Sequence, residues 1–171
     1  MTIRYQKSLM LWRHSESQDV KLVDEDFNRA LTKKGQYHAL VMASWLKQHL
    51  STETYIISSP SLRAEQTVQA LGLPYQLNKS LLPQATVEEV LQLVQKTFYQ
   101  NKTNDILLVG HQPWLGQVAA YFLQINTAEL SIKKSAVWWL AQHLKHQKLE
   151  NEETDDRFKL VSVQSPQFIL N

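Results

Sequence analysis

The stretch Asp105-Ile106-Leu107-Leu108-Val109-Gly110-His111 is a short apolar run that ends in a glycine and a histidine. Consecutive apolar residues over this length are typical of a strand that is buried on both faces. Strands of that kind occur in parallel sheets that helices cover on both sides. The segment therefore predicts a central strand of an α/β sheet.

Shorter apolar runs at residues 8–12 and 55–58 predict two more buried strands. Helical patterns alternate with these strands, and Thr32 is a plausible N-cap for the first of them. The other helices are predicted at residues 61–71, at 87–98 and after Pro113. Strands that alternate with helices predict a three-layer α/β/α sandwich around a mostly parallel sheet.

Two late apolar segments, 137–140 and 158–163, are separated by the charged stretch 145–156. Because no clear helix lies between them, they predict antiparallel strands at the edge of the sheet. No segment resembles a linker between domains, so residues 1–171 are expected to form a single domain.

The composition excludes several classes of protein. The 171 residues are 43% hydrophobic and 20% charged, which is ordinary for a globular chain with a core. No apolar run approaches the roughly 20 residues of a membrane helix, and the N-terminus does not resemble a secretory signal. The absence of cysteine excludes disulfides, thiolate catalysis and cysteine zinc sites. A cytoplasmic protein without a membrane partner is expected.

The net charge of +2 is weakly basic, and the densest basic pairs are Lys33-Lys34 and Lys133-Lys134. Nucleic-acid-binding proteins usually concentrate their positive charge on one face. We interpret the two isolated pairs as solvated surface, and we expect no nucleic-acid partner.

Arginine and histidine residues follow the three predicted buried strands. Arg13 and His14 follow the first strand, Arg63 follows the second, and His111 follows the third. In an open α/β sheet, ligands bind at the carboxyl ends of the strands. We therefore predict that these four side chains meet in one pocket.

These residue types suit phosphoryl transfer. A guanidinium group offers a planar set of donors to phosphate oxygens, and a neutral imidazole nitrogen can attack phosphorus. Two arginines and a protonated histidine would stabilise the transferring group without a metal or another cofactor. His143 and His146 have no third ligand in register, so no metal site is predicted.

Four segments resemble the histidine phosphatase superfamily, whose members are phosphoglycerate mutase-like. Residues 11–16 resemble its Arg-His-Gly-Glu signature, and 58–67 and 108–113 are similar to its second and third motifs. Residues 29–35 are similar to the segment that opens its first helix. The resemblance extends from about Leu9 to Leu140, and the short length without a large cap insertion resembles the SixA-type phosphohistidine phosphatases.

This resemblance implies a covalent mechanism on a phosphohistidine-bearing protein, such as a histidine-phosphotransfer domain or a phosphocarrier. His14 would be the nucleophile, and water would then hydrolyse the phosphorylated enzyme. Arg13, Arg63 and His111 would bind the phosphoryl group and stabilise its transfer. His14 must then be neutral and His111 protonated, although the nearby arginines oppose that protonation.

The chain departs from the family pattern at Ser15, where glycine is usual, so the serine hydroxyl becomes a candidate phosphate contact. Arg29 is a further candidate contact to the substrate. No general acid is evident. The nearby carboxylates are interpreted as a solvated acidic loop; they are Glu16, Asp19, Asp24 and Asp26.

The missing acid bears on the choice of substrate. A phosphorylated imidazole can leave as a neutral ring, whereas an alkoxide needs a proton from the enzyme. Phosphohistidine is therefore favoured. Two alternatives remain open at this point: a phosphatase of small phosphate esters, and a catalytically inactive phosphate-binding module. The intact set of His14, Arg13, Arg63 and His111 argues against the inactive module.

Overall fold

The computed structural model describes residues 5–20, 25–100, 103–126, 130–143 and 157–170. Within these residues, strands and helices alternate as the sequence predicts. The strands are β1 (Tyr5–Arg13), β2 (Tyr55–Ser58), β3 (Gln76–Leu77), β4 (Asp105–Gly110), β5 (Val137–His143) and β6 (Lys159–Gln164). The helices are α1 (Lys33–Lys47), α2 (Leu62–Gln69), α3 (Val87–Gln100), α4 (Trp114–Leu123) and α5 (Pro166–Ile169).

The strands form one sheet in the order β3-β2-β4-β1-β5-β6. β4 runs parallel to both of its neighbours, with Leu108 opposite Leu11 on one side and opposite Ile57 on the other. The predicted central position of this apolar strand is confirmed. β5 runs antiparallel to β1, and β6 antiparallel to β5, which confirms the antiparallel strands at one edge.

Helices pack against both faces of the sheet, because successive strand residues point to opposite sides. In β1, Leu9 and Leu11 face α3 and α4, whereas Met10 and Trp12 face α1 and α2. The α/β/α layering predicted from the sequence is therefore confirmed.

The start of α1 is fixed next to the end of β1. Thr32 caps the helix as predicted, because its hydroxyl accepts a hydrogen bond from the Gly35 amide at 3.0 Å. Gly35 lies so close to the segment after β1 that an added Cβ would come within 1.9 Å of the Glu16 carbonyl oxygen. This close approach requires glycine and keeps α1 against the loop that follows His14.

Several features differ from the prediction. Helix α2 ends at Gln69, before Gly72, whose φ of 61° is left-handed. β3 and α5 were not predicted; β3 is two exposed residues long and α5 has four residues, too few for a periodic pattern.

Other sequence-based expectations are not addressed by the described residues. His146, Asp24 and the stretch 145–156 lie outside them, as does the side chain of His143. No helix in the described part of the chain is both long and apolar enough to cross a membrane. The described residues also contain no group of three histidine or carboxylate side chains placed to hold a metal ion.

Candidate active site

The strand ends bring the predicted side chains together. His14 directly follows β1 and His111 directly follows β4, and their ring centroids lie 5.0 Å apart. The His14 amide donates to the Gly110 carbonyl at 3.0 Å, which links the two strand ends. Arg13 ends β1 and Arg63 lies in the first turn of α2. Their positive charges both lower the pKa of each histidine.

His14 is held as a neutral ring with its Nε2 lone pair available. The Nδ1 atom lies 2.7 Å from the Ser15 carbonyl oxygen. Because a carbonyl can only accept, Nδ1 carries the hydrogen and Nε2 carries the lone pair. Burial of the ring, opposed by this hydrogen bond and aided by the charges of Arg63 and Arg13, lowers its pKa to about 3. The ring is therefore unprotonated near neutral pH, with a lone pair on Nε2.

His111 is also neutral. Burial of its ring, followed by the influence of His14, Arg63 and Arg13, lowers its pKa to about 2. The protonation expected for His111 is thus opposed by the protein's own charges, and burial is the main reason.

The His111 ring is oriented by two serine hydroxyls. Its Nε2 lies 2.9 Å from Ser59 Oγ and 3.1 Å from Ser61 Oγ. A serine hydroxyl that donates to Nε2 leaves the hydrogen of the neutral ring on Nδ1. Nδ1 is buried and has no hydrogen-bond partner in the described part of the protein. It is therefore available as a donor to a ligand.

Both arginines keep an unused donor. Arg13 donates from Nη1 to the Ile132 carbonyl at 2.8 Å. Arg63, only 3% exposed, donates from Nη1 and Nη2 to the carbonyl and carboxylate of Asp26, at 2.7 and 2.9 Å. In each arginine, Nε is buried without a hydrogen-bond partner among the described residues. Buried donors are rarely left unpaired, so these groups favour an anionic ligand.

Asp26 is exposed, as the sequence suggests, but it also pairs with two arginines that the sequence-based interpretation did not connect to it. One carboxylate oxygen accepts from Arg63, and the other lies 3.3 Å from Arg29 Nε. Arg29 also donates from Nη2 to Ser17 Oγ at 3.0 Å. Its charge contributes to lowering the pKa of His111, so Arg29 lies at the edge of the histidine and arginine cluster and joins it through Asp26.

Glu16 is likewise engaged by neighbouring side chains, although its own side chain is 37% exposed. Its carboxylate accepts from the Thr32 hydroxyl at 2.9 Å and lies 3.6 Å from Lys34 Nζ. The hydrogen bond from Thr32 is the main cause of the lowered pKa of Glu16. A carboxylate of this kind is a poor general acid, because its ionised form is stabilised.

The side chain and the amide of Ser15 both make hydrogen bonds within the protein. Its Oγ accepts a hydrogen bond from the Ser135 hydroxyl at 2.8 Å, and both serines are fully buried. Its amide donates to Thr67 Oγ1 at 3.0 Å, and the Thr67 hydroxyl donates to the Arg63 carbonyl at 2.6 Å. Ser15 therefore joins the end of β1 to helix α2 and to the segment before β5.

The supporting residues were largely missed in the sequence. Ser59, Ser61 and Thr67 lie inside the second motif, so their position near Arg63 was visible but their contacts were not. Ser135 carried no signal, because it lies 120 residues from Ser15 and outside every motif.

Comparison with known proteins supports the same family. No model of a known protein family matches the chain. A phosphohistidine phosphatase SixA homolog from Haemophilus influenzae is 25% identical over 126 residues, which are 66% of this chain and 75% of the relative. Phosphohistidine phosphatase SixA from Escherichia coli is 34% identical over 101 residues, 56% of this chain and 62% of the relative. The chain is therefore similar in sequence to SixA phosphohistidine phosphatases.

The fold agrees with this assignment. The structure of the protein histidine phosphatase SixA complexed with tungstate superimposes with a TM-score of 0.75 at 23% identity, covering 95% of this chain and 99% of that one. The recognition of a SixA-like histidine phosphatase from the strand-end motifs is confirmed. These similarities support the assignment of the chain as a phosphatase, which is a hydrolase.

Proposed function

We propose that this histidine phosphatase removes the phosphoryl group from phosphohistidine on a partner protein, through a covalent intermediate on His14. One arrangement carries the proposal: the available Nε2 of His14 adjoins the unpartnered, buried donors of Arg13, Arg63 and His111. Histidine-phosphotransfer domains and phosphocarriers are the partners whose chemistry fits. A cytoplasmic, single-domain enzyme without a large cap is the corresponding proposal for the whole chain.

In the first step, His14 Nε2 attacks phosphorus and the bond from phosphorus to the substrate's ring nitrogen breaks. The substrate histidine leaves as a neutral ring when its other nitrogen already carries a hydrogen. His14 keeps its Nδ1 hydrogen, which the Ser15 carbonyl accepts, so the positive charge moves onto the His14 ring. No proton transfer is needed in this step.

In the second step, water attacks phosphorus and the bond to His14 Nε2 breaks. Both hydrogens of the water stay with the released dihydrogen phosphate, and His14 returns to its neutral form. Arg13 and Arg63 would stabilise the equatorial oxygens of the phosphoryl group in both steps. Because these cations are already in place, turnover without a divalent metal is part of the proposal.

The engaged carboxylates favour phosphohistidine over alkyl phosphates. Both oxygens of Asp26 are occupied by arginines, and Glu16 is held by Thr32 and Lys34. Neither residue is therefore placed to protonate an alkoxide. General acid catalysis typically contributes about 100-fold to 10,000-fold, and an enzyme without it should discriminate by leaving group.

A substrate panel tests the proposal. The enzyme is incubated with a phosphorylated histidine-phosphotransfer domain, with p-nitrophenyl phosphate and with alkyl phosphates of increasing leaving-group basicity. We expect kcat/KM to be highest for the phosphohistidine protein and to fall steeply along the alkyl series. Comparable values for alkyl phosphates would instead support a phosphatase of small esters, and no turnover of any substrate would support the inactive module.

A further inference from the structure

Two lysine pairs that are distant in sequence lie at the same rim of the active site. We define the lysine rim as Lys33, Lys34, Lys133 and Lys134, all of which are exposed. The sequence alone suggested two unrelated stretches of solvated surface. The structure connects both pairs to the end of β1, on which His14 lies.

Lys133 and Lys134 are held next to the catalytic residues by backbone contacts on either side of them. The carbonyl of Ile132, just before the pair, accepts from Arg13 Nη1 at 2.8 Å. The amide of Ser135, just after the pair, donates to the His14 carbonyl at 3.2 Å. The turn is closed by a hydrogen bond from the Ala136 amide to the Lys133 carbonyl. The two lysines therefore occupy a fixed position beside the pocket.

The other pair opens helix α1 on the same side. Lys34 lies 3.6 Å from Glu16, which is two residues after His14. The first turn of α1 contains both lysines and no acidic residue. Cations at a helix N-terminus act against the helix dipole and cost roughly 0.3–1 kcal/mol each when exposed. This placement destabilises the helix, so helix stability does not explain why the two lysines are there.

Lysines from both pairs act electrostatically on Glu16, and one of them also acts on His14. The Lys134 ammonium contributes to lowering the pKa of both His14 and Glu16, and Lys34 contributes to lowering that of Glu16. The Glu16 carboxylate neutralises the charge of Lys34. Lys33, Lys133 and Lys134 have no ion-pair partner among the described residues, so the rim is left with excess positive charge.

We propose that the lysine rim docks an acidic surface of the protein that carries the phosphohistidine. This inference rests on the proposed function and deepens it by assigning the chemistry of the partner. The buried donors of Arg13, Arg63 and His111 would bind the phosphoryl group itself, whereas the lysines lie outside the pocket. Their exposed ammonium groups suit carboxylates that surround the substrate histidine. Such charge complementarity raises the association rate and selects among partners.

The test compares two substrates with the same leaving group. One is free phosphohistidine, and the other is a histidine-phosphotransfer domain with an acidic surface around its phosphohistidine. The variant K133Q/K134Q removes two charges of the rim and keeps the ion pair between Lys34 and Glu16. The matched control K47Q/K96Q removes two exposed lysines from the C-terminal halves of α1 and α3, which precede the starts of β2 and β4, whereas His14 and His111 follow the ends of strands.

For the wild-type enzyme, we expect kcat/KM on the domain to fall steeply as the ionic strength rises from about 0.05 to 0.3 M. K133Q/K134Q should lower this value about tenfold at low salt and flatten its salt dependence. Its kcat/KM on free phosphohistidine should stay within about twofold of wild type, since the buried donors are unchanged. The control variant should match wild type on both substrates.

The other possible outcomes would contradict either the docking proposal or the proposed function. If K133Q/K134Q leaves turnover and salt dependence on the domain unchanged, the docking proposal is wrong while the proposed function stands. An equal loss on both substrates would show that the lysines act on the phosphoryl group and would also overturn docking. If the wild-type enzyme hydrolyses neither substrate, the proposed function itself fails.

Discussion

The hydroxyl of Ser135 donates to the hydroxyl of Ser15 at 2.8 Å, joining two fully buried serines that are 120 residues apart. The Ser135 amide donates to the His14 carbonyl, and the Ser15 carbonyl accepts from His14 Nδ1. The pair therefore holds the backbone on both sides of His14. Ser135 has a left-handed φ of 67°, which is unusual for a residue other than glycine and shows how closely this turn is constrained.

Removing either serine hydroxyl should affect both stability and turnover. In S15A the Ser135 hydroxyl loses its acceptor, and in S135A the Ser15 hydroxyl loses its donor. Leaving one buried partner unpaired costs about 1–3 kcal/mol, whereas removing both can be nearly neutral. We expect each single variant to lower the free energy of unfolding by more than the double variant does. Urea denaturation of all three proteins measures this coupling.

The same variants separate positioning from a purely structural role. We expect kcat to fall several-fold in the single variants and to recover partly in S15A/S135A. The assays are run at a temperature well below the unfolding transition, so that every variant is fully folded. The control S51A removes an exposed hydroxyl that bonds to Asp105 at the opposite end of the strands. Strictly additive losses in stability and no change in kcat would contradict the coupling.

Acid should destabilise the protein through His14. Folding lowers its pKa from 6.5 to about 3, so the unfolded chain binds a proton more readily in this pH window. The free energy of unfolding should therefore fall as pH decreases below about 6.5, by up to about 1.4 kcal/mol per pH unit for each such group. H14N should reduce this slope by about one proton. Urea titrations between pH 4.5 and 6.5 would measure the slopes, and identical slopes for H14N and wild type would be inconsistent with a buried neutral His14.

Asp26 is expected to act by holding Arg63 and Arg29, not by donating a proton. D26N removes the ion pairs and should lower kcat/KM by a similar factor for phosphohistidine and for alkyl phosphates, because arginine placement serves both. E16Q should have little effect on either substrate. A loss in D26N or E16Q that grows with leaving-group basicity would identify that residue as a general acid.

Turnover should persist in a chelator. The guanidinium groups of Arg13 and Arg63 carry the charge that a divalent ion would otherwise supply. We expect kcat/KM in excess EDTA to match that of untreated enzyme. Complete loss in EDTA, with recovery on adding Mg²⁺ or Zn²⁺, would refute metal independence.

The fold was predictable because its signals are local. The apolar run of β4, the Thr32 cap and the alternation of strands and helices each depend on neighbouring residues. The convergence of Arg13, His14, Arg63 and His111 followed from a general rule about strand ends. The contacts that tune these residues were not predictable, because they join distant segments.

Asp26 and Ser135 illustrate this limit. An aspartate in a polar loop looks solvated in sequence, and only the folded chain brings it to 2.9 Å from Arg63. Ser135 becomes a partner of Ser15 because β5 begins opposite the end of β1, with Val137 paired to Trp12. The meeting of the two lysine pairs depends on the same pairing.

Trapping the phosphoenzyme tests the central proposal most directly. The enzyme is mixed briefly with a histidine-phosphotransfer domain labelled with ³²P on its histidine, denatured in alkali and separated by size. We expect label on the wild-type enzyme that survives alkali and is lost in acid, as a phosphoramidate requires, and no label on H14A with an intact fold by circular dichroism. Label that persists on H14A, or label that is lost in alkali and stable in acid, would contradict phosphoryl transfer to His14.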